Sequence, residues 1–443
     1  MQKEKSIYRL VTTYAPDVQL GLYTPAHQGT AGRGGVFPDE LYRLDRPYLR
    51  PDSLAAYEES FSRLYGTGRT FFLTGGTTQG ILAGCLALSR RGSRVLLARN
   101  CHVSFINGSI LAGLEPEFIP TAGTIPGEEE ILASLDRLTG RVSALVLTNP
   151  GYEGTGIEIG RIAGRCRETG VLLAVDEAHG AHFPFTAGAP ASAVGQPGCD
   201  LVFHSLHKYL GSFTQTGLAH LPAGSRIEGE EYRRALELFE STTRSNLLML
   251  SIEEALERAF SREGRREFSR AAERVEELRR RIDSIGGELS SCRGALQDPL
   301  KLFLASDRAP GATIAELFLA HGIDHEFYST EGVLFIFSFR NQDNDFRKFE
   351  RTAEQVAREL SVRDRSEPVK PFRYNLPIMR MSPREAFLAL EVREVPLAEA
   401  VGRINCTNYV KCPPGIPVLI PGEEITGWHV ENLPKDWLVR VMS

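Results

Sequence analysis

Residues 204–217 read HSLHKYLGSFTQTG and place an amine, Lys208, just past the apolar run DLVFHS, with a Gly- and Thr-rich turn behind it. A buried amine is costly unless its charge is paired or used. Two readings follow. One is an ion-paired lysine at a strand end; the other is a Schiff-base lysine, which needs a desolvated site and a carbonyl partner. Upstream, VLLAVDEAHGAH carries a second apolar run into Asp176. A carboxylate there can be a metal ligand, a helix cap or a ribose binder. Beside a lysine on the next strand end it also suits a pyridine nitrogen, whose proton it would hold. That pairing points to pyridoxal phosphate, in which the protonated ring is an electron sink.

Such a cofactor needs a phosphate site. FFLTGGTTQGILAG reads as strand, Gly-rich turn, hydroxyl residues and helix, so backbone N–H groups at a helix N-terminus would face an anion. Thr77 and Thr78 add hydroxyl donors, and Ser205 and His207, flanking the lysine, add two more. Thr and Gly also simply start helices. The Walker pattern GxxxxGK is absent, and no GxGxxG follows the strand. His102 closes RVLLARNCH, either as a hydrogen-bonded structural residue or as a flat ring stacked on a cofactor and able to pass a proton. His179 is spaced from Asp176 to approach the cofactor's polar edge or to bond the carboxylate, whereas His182 reads as structural. Asp176, His179 and His182 also have the spacing of a metal site, but no Cys or Glu completes one, and no metal is expected.

The elements that must hold these residues recur between Phe71 and Lys208. RTFFLTGG, RVLLARNCH, ALVLTNPG, VLLAVDEAHG and DLVFHSLHK are short apolar runs, and helical stretches such as TQGILAGCLALSRRG and IGRIAGRCRETG alternate with them. Strands apolar on both faces that alternate with helices predict a mostly parallel, doubly wound α/β sheet, on which ligands bind beyond the carboxyl ends of the strands. The Thr, Asn, Asp and His residues sit at those ends. We divide the chain into an irregular, Gly- and Pro-rich arm (1–60), a large cofactor-binding domain (61–245), a smaller α+β domain (246–370) and a C-terminal α/β segment (371–443). The small domain carries two amphipathic helices, RREFSRAAERVEELRRRIDSIGG and FRKFERTAEQVARELSV.

Over 443 residues the net charge is only −5, which offers nothing to nucleic acid or an anionic membrane. The longest apolar runs are far short of a membrane span, and MQKEKSIYRLVTTY lacks the apolar stretch of a signal peptide. Seven scattered cysteines read as reduced thiols, so a cytoplasmic protein is expected.

Taken together, NCHVS, VDEAHGAH, SLHKYLGSFTQTG and CPPGIPVLIPGE resemble the ornithine/lysine/arginine decarboxylase family with the aspartate-aminotransferase fold, in its short form without a receiver-like N-terminal domain. The resemblance implies that Lys208 binds pyridoxal phosphate covalently, that Asp176 partners the pyridine nitrogen and that His102 stacks on the ring. It places Ala178 against the ring's other face, Thr77, Thr78, Ser205 and His207 on the phosphate, and His179 near the cofactor. It also implies a homodimer or higher homo-oligomer with the active site at the interface. The expected reaction is decarboxylation of arginine, lysine or ornithine to a polyamine-type amine. The alternatives are a pyridoxal-phosphate lyase or decarboxylase of a non-basic amino acid, and a catalytically silent regulatory homologue. Departures from the family pattern fall at the rim: PAHQ puts Ala26 and Gln28 where the family has PGHK, NCHV puts Val103 for Lys, and KCPPGIP puts Cys412 for an aromatic residue. Asp52, Glu58 and Glu423 are candidate partners for a basic substrate side chain, each by default a plain surface carboxylate.

Overall fold

The computed structural model describes residues 7, 37–45, 51–121, 125–285, 288–292, 294, 296–363 and 372–443. Ala26, Gln28 and most of the arm lie outside them, as does the side chain of Asp52.

Short runs such as RVLLA and ALVLT cannot form amphipathic helices, and as strands they are buried on both faces. Strands β1 (Arg69–Leu73), β2 (Arg94–Ala98), β3 (Glu115–Ile119) and β4 (Ala144–Thr148) are followed by a two-residue strand, β5 (Thr155–Gly156). Then come β6 (Leu172–Asp176), β7 (Leu201–Ser205) and β8 (Gly217–Leu221). Seven of these form one sheet in the order β3-β2-β4-β6-β7-β8-β1. The pairs from β3 to β7 are parallel, while β8 runs antiparallel to both β7 and β1. The expected mostly parallel sheet is present, with one reversed strand, β8, that the apolar runs did not reveal.

Helices α1 (Pro51–Tyr65), α2 (Gly76–Ser89), α3 (Val103–Ala112), α4 (Glu128–Leu138) and α5 (Gly160–Thr169) cover the sheet. Alternation within each strand divides the core. Val95, Leu97, Ala144, Val146, Leu172 and Ala174 pack toward α2 and α3, and Leu96, Leu145, Leu147, Leu173 and Val175 pack toward α4 and α5. A Cβ on Gly84 would stand 2.8 Å from Leu201 Cδ2, so this glycine lets α2 lie close on the sheet and fixes where its N-terminus emerges.

Helix α6 is the single turn Leu206–Tyr209, and α7 (Asn246–Phe260) packs its Met249, Ile252 and Leu256 with Tyr57 and Phe61 of α1 and with Phe72 and Leu218 of the sheet. Beyond it, α8 (Arg262–Ile285), α9 (Gly311–Ala320) and α10 (Asp343–Ser361) cover a four-stranded antiparallel sheet. Its strands are β9 (Ser290–Cys292), β11 (Lys301–Ala305), β12 (Phe327–Tyr328) and β13 (Val333–Ile336), in the order β12-β13-β11-β9. Strand β10 (Leu296–Gln297) pairs instead with β5 and ties this unit to the loop after β4. The C-terminal segment adds two hairpin-like pairs, β14 (Val392–Pro396) with β17 (Leu438–Met442) and β15 (Tyr409–Lys411) with β16 (Ile416–Leu419). Among the described residues no helix is long and apolar enough to cross a membrane.

Candidate active site

The carboxyl ends of β1, β2, β4, β6 and β7 open onto one cavity of about 460 Å³. Parallel register brings the residues there: Thr148 pairs with Asp176, and Asp176 with Phe203, so the loops after these strands emerge along one edge. Lys208, Asp176, His102, Thr77, Thr78, Ala178, His179, Ser205 and His207 all line this cavity. Nine positions spread over more than a hundred residues of sequence therefore share one wall.

One end of the cavity is built for an anion. It lies at the N-terminus of α2, whose cap, Gly75, offers no side-chain bond to the first-turn N–H groups. Thr77 Oγ1 and Ser205 Oγ stand 3.0 Å apart. The turn after α6 closes the wall, the Gly76 N–H donating to the Gln215 carbonyl at 2.7 Å. Gln215 holds a left-handed φ of 72°, a strain of about 1 kcal/mol or more that functional turns tolerate. His207 Nδ1 donates to the Thr216 carbonyl at 2.9 Å, which leaves Nε2 as the free ring nitrogen. Burial holds its pKa below the ordinary value, against the bond to Thr216. An anion beside Nε2 would favour the proton.

The reactive end is organised around Lys208. The amine is accessible through the cleft yet walled in by protein, and this desolvation lowers its pKa; Asp176, Glu326 and Cys412 pull the other way. Its Nζ lies 2.9 Å from His179 Nε2. Burial, followed by the nearby Lys208 and Lys301, drives the His179 pKa well down, so its ring is neutral. With the Lys208 amine donating to Nε2, His179 carries its own proton on Nδ1. Tyr152 stands edge-on to the same ring, centroids 4.9 Å apart. Asp176 is buried, which raises its pKa, while His102 and Lys208 lower it. Its Oδ1 accepts the Ala178 N–H at 3.1 Å, and Oδ2 makes no bond among the described residues.

His102 caps α3, its Nδ1 accepting the Ser104 N–H at 3.2 Å with the Ser104 hydroxyl at 2.8 Å. That arrangement puts the ring proton on Nε2. Burial lowers the His102 pKa, Asp176 raises it and Lys208 lowers it. A Cβ on Gly415 would come within 2.8 Å of His102 Nε2 and Cδ2, and the Val103 N–H donates to the Gly415 carbonyl at 2.9 Å. The C-terminal segment thus fixes the imidazole edge.

The donor set supports one kind of occupant. A helix N-terminus with two hydroxyls faces one end, a carboxylate lies between, and an amine stands at the other end; these match a phosphate, a protonated ring nitrogen and a carbonyl. Three residues of the cavity lining carry buried polar atoms, Asn100 Oδ1, Thr148 Oγ1 and His179 Nδ1, that have no hydrogen-bond partner among the described residues. Each costs about 1–3 kcal/mol when left unsatisfied, the mark of a wall meant to be occupied. The residues present fit pyridoxal phosphate. Among the described residues no group of three or more His, Cys, Asp or Glu side chains could hold a metal ion.

The structure also adds and corrects. Asn100, Thr148, Tyr152, Gln215, Pro414 and Ile416 also line the cavity; Asn100 and Thr148 sit at the strand ends read from the sequence and Gln215, Pro414 and Ile416 in its motifs, but none is identified there as a site residue. Cys412 is exposed and lies close enough to Lys208 to influence its charge. His182 is buried against Asp298 at 3.0 Å and stacked on Tyr209, centroids 4.2 Å apart. Glu58 and Glu423 are not surface carboxylates; both are fully buried. Glu58 accepts the Phe72 N–H at 2.9 Å and pairs with Arg233. Glu423 binds Asn375 at 3.1 Å and His429 at 3.2 Å. Both are consumed by structural partners, and neither lines the cavity.

Comparison with known proteins agrees with this geometry. Residues 53–297 match the profile of the Orn/Lys/Arg decarboxylase major domain, and residues 368–433 that of the C-terminal domain of the same family. An arginine decarboxylase of Bacillus subtilis is 28% identical, the alignment covering 98% of this chain and 94% of that protein. An arginine decarboxylase of Halalkalibacterium halodurans is also 28% identical, covering 96% and 92%. The solved structure of the Escherichia coli constitutive lysine decarboxylase superposes with a TM-score of 0.76 at 18% identity, over 96% of this chain and 77% of that one. With the major-domain match spanning more than half of its length, the chain belongs to the Orn/Lys/Arg decarboxylase family.

Proposed function

We propose that this protein is a pyridoxal-phosphate-dependent decarboxylase of a basic amino acid, releasing carbon dioxide and the corresponding amine. The observation that carries this reading is the convergence of Lys208, Asp176, His102 and the Thr77–Ser205 pair on one cavity at the strand ends. A silent homologue would have no use for the whole set.

When bound, pyridoxal phosphate supplies an electron sink for the pair left behind as carbon dioxide departs. The protein's share is binding, orientation and proton control. The N-terminus of α2 with Thr77, Thr78, Ser205 and His207 would hold the phosphate. Lys208 would hold the carbonyl carbon, its depressed pKa favouring the nucleophilic free amine. Asp176, walled off from water, would keep a proton on the ring nitrogen, and Ala178, bonded to that carboxylate, lies beside it. His102 lines the same cavity with its ring position fixed by Ser104 and Gly415, so it would stack on the cofactor ring. His179 keeps Lys208 oriented through its neutral Nε2. Two copies of the chain meeting near the cavity rim, as the family resemblance implies, complete this reading.

The test is carbon dioxide release by purified, cofactor-loaded protein over arginine, lysine, ornithine, glutamate and tyrosine. Turnover of at least one basic substrate, well above the acidic and aromatic ones, is expected. Turnover confined to a non-basic substrate, or none at all, would overturn the reading.

A further inference from the structure

A second cavity, of about 610 Å³, adjoins the first, and Asn100, Tyr152, Pro414 and Ile416 are walls of both. A substrate whose amino end reaches Lys208 has room to extend its side chain past these shared walls into the second cavity. The outer cavity is mostly apolar, with the rings of Phe327, Phe372, Tyr374 and Trp437 among its walls. It holds two carboxylates, Glu153 and Glu331.

Their situations differ. Glu331 receives both guanidinium arms of Arg373, at 2.9 and 3.1 Å. Glu153 directly follows Tyr152, one of the four residues common to both cavities, and its carboxylate has no hydrogen bond or ion pair among the described residues. The cations that act on it are committed elsewhere: Arg373 is taken by Glu331, and Lys301 Nζ donates to the Tyr152 carbonyl at 2.6 Å. Lys411, also on the cavity wall, is exposed and lies 6.0 Å from the Phe327 ring. Desolvation and then the Glu331 charge raise the Glu153 pKa, as an unpaired carboxylate in an apolar wall requires. Partial burial beside the like charge of Glu331 is unfavourable for a half-buried carboxylate and is relieved by a cation from outside.

Resting on the proposed function, we infer that Glu153 anchors the distal cation of the substrate and that the aromatic walls favour a guanidinium over an ammonium. A planar guanidinium stacks on aromatic faces and offers a two-pronged donor to a carboxylate, which a compact ammonium does not. Arginine is therefore the substrate assigned. Glu423 and Glu58, enclosed by their own partners, have no part in this recognition.

The experiment measures KM and kcat for arginine and lysine in the wild type, Glu153→Gln and Glu153→Asp, with calorimetric binding of agmatine and of pentylamine, its neutral-tailed counterpart. Glu153→Gln should raise KM for arginine and weaken agmatine by about tenfold or more, beyond any change in kcat. Glu153→Asp should recover most of the loss, and the wild type should bind agmatine at least about tenfold more tightly than pentylamine. Active wild type in which Glu153→Gln leaves KM and agmatine binding unchanged, or which binds the two amines equally, overturns the inference and leaves the decarboxylase reading standing. A wild type inert toward every basic amino acid overturns both. The pentylamine comparison needs no variant, so a folding failure of Glu153→Gln does not shelter the proposal.

Discussion

Lys208 and Lys301 are both amines whose pKa burial pulls down, and the charge of Lys208 depresses that of Lys301 further. Their surroundings differ. Lys208 opens onto a cavity, with His179 at its nitrogen and Asp176 within electrostatic reach. Lys301 is fully buried on β11, its Nζ bonded to the Tyr152 carbonyl at 2.6 Å and reaching that of Gly151 at 3.5 Å. Asp298, bound to His182 and Tyr209, supplies its nearest opposing charge. A depressed pKa thus records burial in both cases. Access to a cavity with a complete donor set is what separates Lys208 from Lys301, which fastens the small unit to the loop carrying Tyr152 and Glu153.

The largest effect should come from Lys208→Ala, which removes the amine but not a packing contact. Activity is expected to fall by at least about 10³-fold, and the visible absorbance of bound cofactor should change, with urea unfolding nearly unaffected. Retained turnover would merge the two lysines into one structural class.

Lys301→Met should show the reverse pattern, a change in stability with the cofactor still attached. The sign follows from linkage. The unfolded lysine keeps its proton to about 10.5, whereas the folded one loses it at about 7. Between those values the unfolded state binds more protons, so unfolding free energy from this group rises with pH. Wild type should therefore gain stability relative to Lys301→Met as pH increases from 7 toward 10. At pH 10 the methionine should be the weaker by about 1 kcal/mol, for the lost bond to the Tyr152 carbonyl, and at pH 6 it should be the more stable by roughly 3 kcal/mol, the swing that linkage requires. Parallel urea curves at each pH check this; a difference independent of pH would contradict it.

A smaller effect is expected at the contact between the C-terminal segment and the strand ends. Gly415 has a φ of 80° and touches the His102 edge. Gly415→Ala should cost about 1 kcal/mol or more in stability from the backbone alone and lower kcat by displacing the imidazole. Unchanged kcat would show that His102 is positioned by Ser104 alone.

What the sequence made legible follows the same division. Residues fixed by a strand end, such as Asp176 after β6 or Ser205 and Lys208 after β7, were readable because an apolar run followed by polar side chains marks both strand and edge. Strand β8 was not readable, since GLAHL carries His220, whose burial depends on bonds to Thr70 and His204. Strand β3 was hidden by Glu115 and Glu117 on the sheet's outer edge. Pro414, Gly415 and Ile416 reach the site from some two hundred residues beyond Lys208, and nothing local announces where a long connection will land. Glu58 and Glu423 looked like surface carboxylates because Arg233 and His429, the partners that permit their burial, are recognisable only in three dimensions.

The most direct test of the distinction between the two lysines is chemical. Cofactor-loaded protein would be reduced with borohydride, digested, and its lysines mapped by mass spectrometry. A pyridoxyl-phosphate adduct on Lys208, with Lys301 unmodified, is the predicted result. An adduct on Lys301, or a loaded protein with Lys208 unmodified, would contradict it.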